Sequence, residues 1–356
     1  MAVELKAHVF ASVAHEMVTQ IMAVVGKMTN LEVGDKWHQQ ARSKMSPQLR
    51  KAVTGFGPNI HGPWGSLTDM TYANRWVSVD ELLRGLESLP ERDLILQISG
   101  IDEYPGAHKQ LDDLLLQTAA GDKAAARELV AKGPALHHNR ASQLARWLPR
   151  VAPRLRASLI EITSLWRRDL FGAEEERLAT ILERDAKAKV ALARRLSPAE
   201  LLEEATNGFV WVDQPGLDTI ALLPTWVMRP WTVDGRLERT AIISYPVADE
   251  SLGGNGNAIA ARAVKLARVL ADESRVRALQ LMAEEPMTIQ ELADKLGLRK
   301  STVHHHIAEL RAAGLLRVPM ATKRYSLRPE ALDRFGAVLA ELAKPARMRG
   351  RRKRDE

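Results

Sequence analysis

Most of the chain shows the spacing of apolar residues that amphipathic helices require. The stretch "VSVDELLRGLESLP" begins with Ser78 and has Glu81 three residues later, which is the form of a capping box at a helix start. The stretch "SPAELLEEATNG" has the same form, and a longer amphipathic pattern covers residues 173–196. We therefore predict a mainly α-helical N-terminal domain over residues 1–250.

Short apolar runs replace the helical spacing near the end of this domain. They lie at residues 209–212, 219–228 and 240–247, where β-branched and aromatic residues are frequent. The stretch "VDGR" at 233–236 has the composition of a turn. These runs predict a small antiparallel β-sheet that closes the domain.

Helical spacing returns after a Gly- and Asn-rich stretch, residues 251–257, that we interpret as a linker. In the region 258–343, Thr288 and Glu291 form a further capping-box pattern, and Gly297 is a typical helix stop. Only a few residues separate this short helix from the next one. Two short helices joined in this way predict a helix-turn-helix.

The second helix of this pair, residues 300–313, contains three consecutive histidines. Successive residues of an α-helix are about 100° apart, so His304, His305 and His306 point in three directions. Ligands of one metal ion on a helix need a spacing of three or four residues, and we therefore predict no metal site here. His305 is predicted to point outward, and His306 to fill a half-buried position beside the core.

The outward face of this helix is slim and polar, as expected of a helix that enters the major groove of DNA. Ala308 is predicted to share this face. Residues 315–327 then predict a strand, a turn and a strand whose basic residues would lie over phosphates. The predicted DNA-binding residues are Thr288, Gln290, Arg299, Lys300, Ser301, Thr302, His304, His305, Lys323 and Arg324. No catalytic residue, metal ligand or cofactor is predicted.

The distribution of charge supports a polyanionic partner for the C-terminal region. Residues 258–356 contain 21 Lys and Arg against 12 Asp and Glu, a net charge of +9, whereas residues 1–257 contain 30 against 32. The tail at 344–356 is especially basic. Two interpretations are open: the tail is a solvated chain end, or it adds affinity for phosphate. A basic module on a nearly neutral body favours double-stranded DNA as partner.

Residues 262–343 resemble the winged helix-turn-helix of ArsR-type bacterial transcription regulators. The resemblance rests on "LARVLADESRVRALQLM", "TIQELADKLGL", "STVHHHIAELRAAGLL" and "RYSL" in this order. It implies a homodimer formed by the first and last helices of the module, and operator binding by the helix 300–313. The order of helices, sheet and winged helix also resembles longer ArsR-like regulators with an uncharacterised N-terminal domain.

Two departures from this family concern metal sensing. Members that sense metals use a cysteine pair on the helix that here spans residues 289–296, or Asp, His and Glu ligands on the terminal helix. This chain has no cysteine, and its terminal helix has no histidine. Elsewhere, "HEMVT" begins like the zinc-peptidase motif HExxH but has Thr19 at the position of the second histidine, so it fails the motif.

All eight tryptophans lie in the first 250 residues, at positions 37, 64, 76, 147, 166, 211, 226 and 231. Most are predicted to pack in the core, and some to line a pocket for a small organic effector. No segment is apolar over the length of a membrane span, and we expect a cytoplasmic protein without a membrane partner. The combined prediction is a dimeric DNA-binding repressor. An enzyme or small-molecule-binding protein that its basic domain localises on DNA, and a sequence-tolerant chromosomal protein, remain alternatives.

Overall fold

The computed structural model describes residues 4–57, 63–100, 108–132, 140–253, 258–320 and 322–342. Its α-helices are α1 (Val13–Val25), α2 (Gly34–Lys44), α3 (Pro47–Phe56), α4 (Pro63–Ala73), α5 (Val79–Ser88), α6 (Glu91–Ser99), α7 (His108–Ala119), α8 (Lys123–Ala131), α9 (Arg140–Val151), α10 (Leu155–Trp166), α11 (Glu175–Leu192), α12 (Pro198–Ala205), α13 (Ala258–Leu270), α14 (Glu273–Glu284), α15 (Ile289–Leu296), α16 (Lys300–Ala312) and α17 (Pro329–Leu342). Its strands are β1 (Lys6–Val9), β2 (Phe209–Val210), β3 (Thr219–Thr225), β4 (Val233–Leu237), β5 (Thr240–Pro246), β6 (Leu316–Pro319) and β7 (Ser326–Leu327). The predicted mainly helical fold with small sheets is confirmed.

The chain divides into two compact units, and each is discontinuous in sequence. The N-terminal unit contains residues 1–194 and 214–246, and the C-terminal unit contains residues 195–213 and 247–356. The sequence prediction placed residues 195–213 in the N-terminal domain. They belong structurally to the C-terminal unit because β2 pairs with β6, far along the chain.

The sheet of the N-terminal unit has the strand order β1-β3-β5-β4. Strand β3 is parallel to β1 and to β5, and only β4 is antiparallel to its neighbour. The predicted antiparallel arrangement is therefore wrong for this sheet. Strands β3 and β5 are buried along almost their whole length, and continuous apolar runs such as "TIALLPT" are typical of parallel strands covered on both faces.

Two further details of the predicted sheet are wrong. The stretch "VDGR" lies in β4, and the turn to β5 is formed by the next two non-strand residues, since Leu237 pairs with Thr240. β4 is a half-buried edge strand, and an edge strand can contain glycine and charged residues, so its composition resembles that of a turn. The run that begins at Phe209 is a strand, but it lies in the sheet of the C-terminal unit.

The stretch that begins like HExxH lies on α1, and its first two side chains pack this helix against its neighbours. His15 is fully buried, with Nε2 2.8 Å from Ser244 Oγ and Nδ1 3.1 Å from Thr71 Oγ1. Burial lowers the pKa of His15 to about 4. A hydrogen bond with a backbone carbonyl acts in the opposite direction, but its effect on the pKa is smaller. A neutral imidazole therefore joins α1 to α4 and β5, and its stabilising effect depends on pH.

The adjacent Glu16 is also fully buried. Its carboxylate accepts hydrogen bonds from the Thr225 hydroxyl at 2.8 Å and from the backbone N–H groups of Trp226 and Val227 at 2.8 and 3.2 Å. Burial raises the pKa of Glu16, and these hydrogen bonds oppose the rise. The pair His15 and Glu16 thus fastens α1 to the sheet at the end of β3, and both side chains are satisfied without a metal.

Most tryptophans of the N-terminal unit pack in its core, as predicted. Four of them are buried: Trp64, Trp76, Trp147 and Trp166. Trp37 and Trp226 are only half-buried and lie against each other, with ring centroids 6.2 Å apart and an interplanar angle of 75°. This pair leaves part of both rings at the surface of the unit.

Candidate nucleic-acid interface

Helices α15 and α16 pack against each other through a short turn, as the helix-turn-helix prediction requires. Thr288 and Glu291 make both hydrogen bonds of the predicted capping box at the start of α15. Gly297 ends the helix with a left-handed backbone, φ 65°, and the next N–H, of Leu298, donates to Ala293 at 3.0 Å. The capping residues and this glycine therefore fix the angle at which the chain enters α16.

The N-terminal half of α16 presents the predicted polar face to solvent. Ser301, Thr302 and His305 are exposed, and so are the flanking cations Arg299 and Lys300. The helix begins at Lys300 without a side-chain cap from Arg299. Hydroxyl groups, an imidazole and two cations thus share the positive end of a helix dipole, where an anion is bound most favourably.

The C-terminal half of α16 is buried almost all round, which corrects one prediction. Ala308 is 2% exposed and does not belong to the outward face. Arg311, in the last turn, is also buried, and its guanidinium is hydrogen-bonded to Tyr325. The helical-wheel prediction assumed one solvent side along the whole helix, whereas only the first half of α16 reaches out of the domain.

The three histidines diverge, as predicted. His305 is exposed, His304 is half-buried and His306 is 8% exposed, more buried than the half-buried position predicted for it. Burial lowers the pKa of His304, and the neighbouring His305 lowers it further. Burial also lowers the pKa of His306 and outweighs the opposing effect of Asp272. At neutral pH His304 and His306 are therefore neutral groups, suited to hydrogen bonds rather than to charge pairing.

Strands β6 and β7 form the antiparallel hairpin predicted after α16, with Leu316 opposite Leu327. Lys323 and Arg324 are both exposed just before β7. Arg324 also donates to the carbonyl of Pro286 at 2.7 Å and lies 3.1 Å from Glu291. Arg324 thus fastens the hairpin to the start of α15, and Lys323 extends into solvent.

Thr288 and Gln290, the predicted DNA-binding residues at the start of α15, differ in how accessible their side chains are. The Thr288 hydroxyl accepts from the Glu291 N–H at 3.2 Å, so it is committed to the helix cap. Gln290 is exposed and donates to Asp294 at 3.0 Å. Of the two, Gln290 is the side chain that is accessible to a partner.

The segment between α11 and β3 supplies a part of this unit that the sequence prediction missed. Strand β2 lies parallel to β6, with Phe209 opposite Val318, so the hairpin sheet has three strands. On α12, Glu203 lies 2.8 Å from Arg317 and 3.2 Å from the buried Arg328. An acidic helix and a strand from residues 195–213 therefore brace the back of the hairpin.

Comparison with known proteins agrees with this geometry. Residues 272–318 match the family described as "Bacterial regulatory protein, arsR family". Residues 272–318 form an ArsR-family helix-turn-helix domain. The domain covers α14, α15, α16 and most of β6.

One curated relative of this ArsR-family domain is the HTH-type transcriptional regulator KmtR of Mycobacterium tuberculosis. It is 41% identical over 54 residues, which is 15% of this chain and 42% of the relative. The chain thus spans less than half the length of the curated relative it matches. No solved structure gives a significant match to the chain.

Two predicted features lie partly or wholly outside the described residues. These are the linker at 251–257, of which residues 254–257 are not described, and the basic tail at 344–356, which is not described at all. Within the described ranges, no helix combines the length and the apolar character needed to cross a membrane. Also within those ranges, no three His, Asp or Glu side chains are grouped as ligands of one metal ion would be.

Proposed function

We propose that the protein is a transcription regulator that binds operator DNA with α16 and acts as a repressor. The observation that carries the proposal is the exposed polar start of α16 on an ArsR-family domain. Ser301, Thr302 and His305 have the size and the hydrogen-bonding groups for base edges in the major groove. Arg299 and Lys300, both exposed, would contact phosphates on either side. No catalytic step is required.

In this proposal the hairpin of β6 and β7 is the wing of a winged helix. Lys323 is exposed and lies in the loop before β7, where a cation meets the phosphates beside the recognition helix. Arg324 contributes to the same surface and holds the wing in place through Glu291 and Pro286. Loss of Lys323 should therefore weaken binding to every DNA sequence, whereas loss of His305 should reduce discrimination between sequences.

We further propose a homodimer formed by α13 and α17. These two helices pack against each other, and each exposes a large apolar side chain, Val264 at 55% and Leu332 at 40%. A second copy of the same pair of helices would cover these side chains in an isologous interface. Such a dimer would present two copies of α16 to half-sites about one helical turn of DNA apart.

The N-terminal unit is, in this proposal, an effector domain that senses a small organic molecule. This unit contains many more residues than DNA binding and dimerisation require. It also contains a surface cleft between half-buried tryptophans. Binding of an effector there would change the affinity for operator DNA. A coupling of about 1–3 kcal/mol would change that affinity about 5- to 150-fold.

The test is selection of binding sites from randomised duplex DNA with the full-length protein, followed by affinity measurements on the selected and scrambled duplexes. A regulator should prefer its selected site by about 10³-fold or more, and its mass in solution should be that of a dimer. Replacing Lys323 by Gln should reduce the slope of log affinity against log salt by about 0.9 for each protomer of the dimer, about 1.8 in all. Lys187, exposed on α11, provides the matched control, because Lys187→Gln should leave the slope unchanged. Equal affinity for all duplexes would favour the sequence-tolerant chromosomal protein instead.

A further inference from the structure

A surface cleft of about 250 Å³ lies in the N-terminal unit among α1, α2, α11 and the residue after β3. We name it the tryptophan cleft. The lining residues that matter here are Gln20, Trp37, Lys44, Glu174, Arg177 and Trp226. Its volume lies just below the roughly 300–1,000 Å³ of typical ligand pockets, so it has room for a molecule of one or two rings.

The walls of the tryptophan cleft offer aromatic surface with a fixed geometry. Trp37 and Trp226 meet edge to face, which is a favourable arrangement for two rings and holds both in place. The guanidinium of Arg177 lies over the Trp226 ring, 5.3 Å from its centroid. A planar, unsaturated ligand would complete the packing of these rings at the open side.

The charges at the rim select the sign of the ligand. Lys44 and Arg177 supply two positive charges and Glu174 one negative charge, which is paired with Arg177 Nε at 2.6 Å, so the rim has a net charge of +1. A cationic ligand would be repelled by the net positive charge of these basic groups and would compete with the Arg177 guanidinium for one face of Trp226. A carboxylate, by contrast, would gain charge-assisted hydrogen bonds from them.

The floor of the tryptophan cleft adds one polar requirement. Gln20 is only 5% exposed, and its amide nitrogen donates to Glu16 Oε1 at 3.0 Å. Because the amide nitrogen is directed at Glu16, we assign the carbonyl oxygen of Gln20 to the side of the amide that lines the cleft. A buried acceptor of this kind favours a ligand with an O–H or N–H group on its ring.

We propose that the tryptophan cleft binds a small aromatic carboxylate that carries a ring hydroxyl or ring N–H. Its ring packs on Trp37 and Trp226, its carboxylate meets Lys44 and Arg177, and its donor meets Gln20. The identification of this molecule class as the effector rests on the proposed function, whereas the binding site itself does not.

The experiment is calorimetric titration of the full-length protein with four probes that differ in one group each. The probes are 4-hydroxyphenylacetate, its uncharged amide, phenylacetate and the cation tyramine. We expect 4-hydroxyphenylacetate to bind at least about tenfold more tightly than the amide and tyramine, since a charge-assisted hydrogen bond is worth about one factor of ten or more. Phenylacetate should bind more weakly than its hydroxylated analogue. Equal binding of acid and amide, or no binding of any probe, would overturn the proposal.

A charge variant localises the site. Lys44→Gln should weaken binding of the acid about tenfold and leave binding of the amide unchanged. Position 44 is exposed on α2, where glutamine is accommodated as readily as lysine, so the variant should fold normally. Lys51→Gln, exposed on α3 and outside the cleft, is the matched control and should change neither affinity. If Lys44→Gln and Lys51→Gln give the same acid affinity as the unchanged protein, the acid does not bind in this cleft.

Operator affinity measured without any probe separates the two proposals. If DNA binding is absent while the acid binds in a Lys44-dependent way, the regulator function is wrong and the tryptophan cleft stands. If DNA binding is specific and no probe binds, the reverse holds. If both hold, the acid should change operator affinity by about 5- to 150-fold when it is the effector.

Discussion

Replacing Gly208 by Ala should release β2 from the sheet of the C-terminal unit. Gly208 has φ 113°, which side-chain-bearing residues rarely adopt, and a Cβ built on it would lie 2.0 Å from the carbonyl oxygen of Leu316. That oxygen belongs to β6, so the clash is with backbone and cannot be relieved by a rotamer change. Either β2 moves away from β6, or the hairpin is distorted.

The size of the effect follows from the contacts at this point. Separation of the strands breaks the hydrogen bonds from Val318 N to Gly208 O, 2.8 Å, and from Met320 N to Val210 O, 2.9 Å. Each is worth about 1 kcal/mol, and the unfavourable φ adds roughly 1–2 kcal/mol. We therefore expect the free energy of unfolding of the C-terminal unit to fall by roughly 3–4 kcal/mol.

Amide hydrogen exchange provides the most direct assay, because it reports the two broken bonds individually. A local loss of about 2 kcal/mol corresponds to roughly 30-fold faster exchange of the Val318 and Met320 amides. Gly297→Ala, in the same unit, is the matched control: Gly297 has φ 65°, but a Cβ there would meet no heavy atom within 4 Å apart from its chain neighbours. It carries the backbone strain without the clash and should leave both amides protected. Unchanged protection of Val318 and Met320 in a folded Gly208→Ala protein would refute the pairing of β2 with β6.

Three further outcomes are expected. His15→Gln should reduce the acid sensitivity of the fold. The pKa of His15 is about 4 in the folded protein and 6.5 in the unfolded chain, so between these pH values only the unfolded chain takes up the proton. The free energy of unfolding of the unchanged protein therefore falls as the pH falls through this range. Urea unfolding at pH 7 and pH 4.5 should show roughly 2–3 kcal/mol less loss in the variant than in the unchanged protein; equal losses would contradict the cause assigned to this pKa. Thr288→Ala should lower the unfolding free energy by about 1 kcal/mol and Thr288→Ser by much less, and equal melting temperatures would show that the cap is not stabilising. His305→Ala should cost on the order of 1–3 kcal/mol of discrimination between selected and altered operators, and an unchanged ratio of affinities would show that His305 does not contact a base.

Much of the helix-turn-helix could be predicted from sequence because its signals are local. A capping box depends on residues three apart, and Thr288 with Glu291 forms one as predicted. The glycine at 297 has the positive φ that ends a helix. The exposure of Thr302 and His305 follows from helical geometry and the nearby apolar positions.

Other features required contacts between distant parts of the chain. The parallel pairing of β3 with β1 and β5 depends on helices that cover both faces of the sheet, although the unbroken apolar runs were a usable signal. The burial of Ala308 depends on what packs around the end of α16. A helical wheel shows the direction of each side chain from the helix axis, but not which other elements pack against the helix.

The capping boxes at Ser78, Ser197 and Thr288 and the concentration of positive charge after residue 257 could be predicted from the sequence, because each depends on neighbouring residues or on simple counts. No local pattern predicted that residues 195–213 would pack against the hairpin, or that Trp37, Lys44 and Trp226 would line one cleft. Both arrangements join residues far apart in the chain, and such pairings are set by which surfaces the folded chain can bury together rather than by any local pattern.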